Sequence, residues 1–125
     1  MGMDQTVRGG QGVSWVGLRD FLGQRGYPVQ LRMIDGELAF PDETPLETWS
    51  ELRVGTPQGM ITLRRGPDAL TVVTWGNADA ALRQAWNALV WACAAVGGGQ
   101  VVTEQGAVSA AEFRSRAEMP AALGS

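Results

Sequence analysis

Two spacings of apolar residues alternate along the chain. From Ser14 onward Trp15, Leu18, Phe21 and Leu22 recur at helical intervals, Ser14 suits an N-cap, and Gly26 followed by Pro28 is a helix stop. This predicts a helix from Trp15 to about Arg25. The spacing then falls to two: Val29, Leu31 and Met33 alternate with Gln30 and Arg32, and Asp35-Gly36 leads into Glu37, Leu38, Ala39 and Phe40. Asp-Gly between such runs predicts a hairpin, because a type I′ turn needs positive φ at both central residues. Pro41 and Pro45 break the pattern. Strands are expected again over 49–54, 60–65 and 70–75, the last apolar on both faces as in a central strand.

Asn77 is the predicted cap of the longest helix, about 78–96, with Asp79 in its first turn and Leu82, Trp86, Leu89, Val90, Cys93 and Val96 on one broad face. Gly97, Gly98 and Gly99 end it before a short strand over 100–103. Strand, helix, strand makes a crossover, right-handed if the strands are parallel. Ser109 and Glu112 form a capping box, with Val108 and Phe113 placed as a hydrophobic staple for a short last helix. The expected fold class is therefore α+β: a mostly antiparallel sheet of five to six strands, with an N-terminal helix, the long helix and a short C-terminal helix packed on it. Residues 1–13, polar and Gly-rich, are expected to be a flexible lead-in, 14–119 a single domain, and 120–125 a frayed tail.

Composition narrows the chemistry. All ten basic residues are Arg, with no Lys and no His, so Ser-His-Asp, Cys-His, Ser-Lys and Schiff-base chemistry cannot be assembled within the chain. Such a preference for Arg, with abundant Ala, Gly and Val, suggests a bacterial source. One Cys without His gives no zinc site, so no metal and no cofactor are expected. The formal charge of −3 makes nucleic acid an unlikely partner. A single Cys, and no apolar core near the N-terminus, suit a cytoplasmic location. Residues 84–103 are uncharged, but Asn87 and three glycines interrupt them, so no membrane contact is expected.

Four groups of residues remain as candidates. Asp42, Glu43, Glu47 and Glu51 are the densest carboxylates and the sole acid-base option, but read as solvated surface. Cys93, on the apolar helix face with no basic neighbour, reads as core. Trp91 points away from the Leu82, Trp86, Leu89 and Cys93 stripe, towards Gln84 and Asn87, and is either covered by another element or the anchor of an interface. Arg32, Arg53 and Arg64 fall on three different strands, opposite the core positions; they are expected either to pair with Glu37 and Glu51 or to form an anion-binding strip on an open sheet face. The Gly98 to Phe113 stretch and the small acidic α+β format are similar to toxin-neutralising immunity proteins and to secretion chaperones, a likeness of format that carries no residue over. A non-enzymatic protein-interaction domain, self-associating or binding one protein partner, is the expected function; Arg-based anion or nucleic-acid binding and then a carboxylate-dependent enzyme are the alternatives.

Overall fold

Alternating burial along the strands organises the molecule. In the computed structural model, which describes residues 2–75 and 77–123, the strands are β1 (Gly2–Arg8), β2 (Gln30–Ile34), β3 (Glu37–Leu38), β4 (Glu51–Thr56), β5 (Gly59–Arg65), β6 (Ala69–Trp75), β7 (Gln100–Thr103) and β8 (Gly106–Ser109). The helices are α1 (Trp15–Gly23), α2 (Ala80–Gly97) and α3 (Ala110–Arg116). One sheet runs in the order β3-β2-β4-β5-β6-β1-β7-β8, every neighbouring pair antiparallel. Leu31, Leu52, Val54, Ile61, Leu63, Leu70, Val72, Val7 and Val101 point from it into the core beneath the helices. The expected α+β architecture is present, with eight strands rather than five or six.

The two additional strands are β1 and β8. The stretch expected to be a lead-in is instead an inner strand: Gly2 to Arg8 pair along their whole length with β6, and Thr6 to Arg8 pair also with β7. Val7 is the one fully buried apolar residue in it, which is why the alternation was faint. Because β1 is antiparallel to both β6 and β7, those two strands are parallel, and α2 carries the chain across β1 from one to the other.

The glycines flanking that crossover are close-packed rather than loose. Gly98 caps α2 at φ 68, a left-handed conformation that glycine adopts freely. At Gly99 a β-carbon would lie 2.4 Å from the Arg8 carbonyl oxygen, so the end of β1 and the start of β7 come together backbone to backbone.

Local signals otherwise hold with small shifts. Asp35 and Gly36 have φ 49 and 85, as the predicted hairpin turn requires. The cap of α2 is Asp79, whose carboxylate accepts from Leu82 N at 2.9 Å, and Asn77 lies before the helix. Ser109 caps α3 through Glu112 N, with Val108 and Phe113 both buried. Of the tail, Pro120 and Leu123 are buried, and Arg114 donates to the Leu123 carbonyl at 2.7 Å; Gly124 and Ser125 lie outside the described residues. In its middle α2 is buried on all sides, from Ala88 to Ala94, because α1 and α3 flank it and the sheet lies below.

Candidate functional site

The helix-side candidates all have partners inside the fold. Trp91 is only 8% exposed, covered by other elements of the fold as the first of its two readings expected. Phe21 of α1 packs on it at 5.0 Å between ring centroids, and the Arg114 guanidinium stands 5.2 Å from its ring. Gln84 accepts from Gln58 Nε2 at 2.8 Å, and Asn87 donates to the Glu118 carbonyl at 2.9 Å. Cys93 is fully buried, and that burial pushes its thiol up to about 12, where no thiolate forms near neutral pH.

The strand-side candidates do come together. Arg32, Arg53 and Arg64 lie on β2, β4 and β5, three neighbouring strands, and project from the sheet face that carries no helix. The Arg64 guanidinium pairs with Glu51 at 3.1 Å, as expected, but neither Arg32 nor Arg53 has a carboxylate partner among the described residues. Glu37 therefore does not take the pairing role predicted for it. A β-carbon at position 55 would come within 2.8 Å of Arg32 Nε, so Gly55 is the gap through which Arg32 lies across β4.

A β-bulge alters the composition of this face. Leu31 opposes Val54 but Met33 opposes Arg53, so the two residues Arg32 and Met33 share one place in the ladder and both turn outward. The predicted alternation had put Met33 in the core; after the bulge Ile34 packs there instead. Arg32, Met33, Leu38, Ala39, Phe40, Arg53 and Met60 consequently line one groove of about 670 Å³.

Apolar side chains are unusually exposed in its lining. Leu38 is 89% exposed, Phe40 76% and Met60 38%; Leu46 (79%), in the connection that follows β3, and Val16 on α1 (38%) are the other large apolar side chains so exposed among the described residues. Residues 39–50, which join β3 to β4 without helix or strand, carry two of them together with Asp42, Glu43 and Glu47. That connection is anchored at its far end: Trp49 is buried under the Arg65 guanidinium, 3.9 Å from its ring, and Arg65 also donates to the Glu47 carbonyl. Asp35 accepts from Ser50 N and Glu51 N, both at 2.8 Å, and these bonds hold its carboxyl below the ordinary value. The Phe40 to Leu46 stretch stays outside.

No protein-family model, curated protein sequence or solved structure matches this chain. Its functional reading therefore rests on this surface. Among the described residues no group of three or more His, Cys, Asp or Glu is placed to hold a metal ion, and no helix is long and apolar enough to cross a membrane. Sequence reasoning found the three arginines but missed Leu38, Phe40, Leu46 and Met60. The signal was present in Leu38-Ala39-Phe40 followed by Pro41, an apolar run cut too short to be buried by a further strand.

Proposed function

We propose that this chain is a non-enzymatic protein-interaction domain that docks a protein partner on the open sheet face over β2 to β5. The observation that carries the reading is the mixture on that face: exposed Leu38, Phe40 and Met60 interleaved with Arg32 and Arg53, which have no carboxylate partner among the described residues. Apolar patches rimmed by polar groups mark protein contacts, and aromatic residues, Met and Arg are the types enriched in them. An Arg strip that served phosphate or nucleic acid would have no use for the apolar half, and the chain's negative charge opposes it.

A photo-crosslinking residue placed at Met60, with another at Arg83 on the exposed side of α2 as control, tests the reading in the cells that make the protein. The expected result is a discrete protein adduct from position 60, absent from position 83 and lost when Arg53→Glu is added. Equal labelling from both positions, or labelling unaffected by Arg53→Glu, overturns it.

A further inference from the structure

Resting on that docking surface, we infer that its occupant is a second copy of this chain, each protomer laying its acidic 40–47 segment across Arg32 and Arg53 of the other. The chain itself carries the surface that complements the groove. The groove offers two guanidinium groups with no carboxylate partner among the described residues, beside Met33, Leu38 and Met60. The segment that follows β3 offers Asp42, Glu43 and Glu47 beside exposed Phe40 and Leu46. Cation faces anion and apolar faces apolar.

The two surfaces adjoin where the segment leaves β3, the edge strand beside β2, with Ala39 and Phe40 lining the groove; its later residues Thr44, Pro45 and Glu47 run past Val13 to Val16. A two-fold axis near that edge uses each surface twice, because an isologous contact pairs face with segment and segment with face. The segment does not satisfy its own groove in this conformation: Arg32 and Arg53 have no carboxylate partner among the described residues, while Asp42, Glu43 and Glu47 stand exposed on the same molecule. Its length without helix or strand also fits a binding loop better than a plain connection.

Charge exchange tests the arrangement on the full chain. Arg53→Glu makes the face repel the segment of an identical copy, and the double change Asp42→Arg, Glu43→Arg makes the segment repel the face. Each variant alone should lose self-association by about tenfold or more in dissociation constant, read by analytical ultracentrifugation. An equimolar mixture should regain it, because the reversed face then meets the reversed segment and the native face meets the native segment. Phe40→Ser, at an exposed site that the fold does not need, should weaken association without any charge change. Far-UV circular dichroism spectra of all variants should match the parent, and their melts at concentrations where the parent is a monomer should match it too.

A parent chain that sediments as a monomer at every concentration overturns the inference, and so does a mixture that stays monomeric. If the monomer still gives an Arg53-dependent adduct from position 60 with a different protein, the docking surface stands and only the second copy falls. If that adduct is also absent, both fall.

Discussion

Gly99 shows how much one missing β-carbon can decide. With the Arg8 carbonyl oxygen 2.4 Å from where that carbon would stand, Gly99→Ala must push β1 and β7 apart, and backbone cannot yield as a flexible side chain can. The expected loss is about 1–3 kcal/mol in denaturant melts, whereas Gly36→Ala, with nothing near its β-carbon position, meets only the strain of a left-handed backbone. Asp35 acts through charge. Its carboxyl is held below the ordinary value of 3.8 by the Glu51 and Ser50 amides, so its ionised form stabilises the β2–β4 region above that value and the contribution is lost as pH falls through the lower, folded value. Asp35→Asn should therefore melt below the parent at neutral pH, with the difference shrinking once the pH drops beneath 3.8. The Asp-Gly turn was legible because both residues must adopt a rare φ that few others tolerate. The Gly9, Gly10 and triple-glycine stretches were legible only as glycine, since nothing local distinguishes a loose segment from two backbones in contact.

Among the elements, α2 governs the packing. Trp91→Ala should cost about 3–5 kcal/mol of folding free energy, because it empties a site enclosed by Phe21, Arg114 and Leu123. That loss should be the same at low and high protein concentration, since Trp91 lies on the side of the sheet away from the open face. The three helices could be read from caps and spacing because those signals are local: Ser14, Ser109 and the glycines after Val96 mark ends whatever the tertiary context. β1 could not. It has one fully buried apolar side chain, Val7, and its other inward residues, Met3 and Gln5, are only half buried. Its place between β6 and β7 is a long-range fact. Removing residues 1–8 should for that reason abolish the folded state rather than trim it, seen as loss of sheet signal and of protease resistance. A truncated chain that melts like the parent would make β1 peripheral.

At the scale of the molecule, one sheet face is covered by three helices and the other is bare, an asymmetry that the order of elements announced. The arginines of the bare face were legible from alternation on three strands. Their apolar neighbours were not, because the bulge at Arg32 and Met33 and the exposure of residues 39–50 belong to the assembled sheet. If the bare face pairs with a second copy through charge, association should weaken steadily as salt rises, since exposed ion pairs are screened; salt-independent association would point to Phe40, Leu46 and Met60 alone. The place of β1 also sets an order on biosynthesis. It leaves the ribosome before either of its neighbours, since β6 begins at Ala69 and β7 ends at Thr103. At about 5–20 residues per second, β1 waits several seconds with both edges bare while β6 and β7 are made. The nascent protein therefore depends, for that interval, on whatever shields an unpaired strand in the cell.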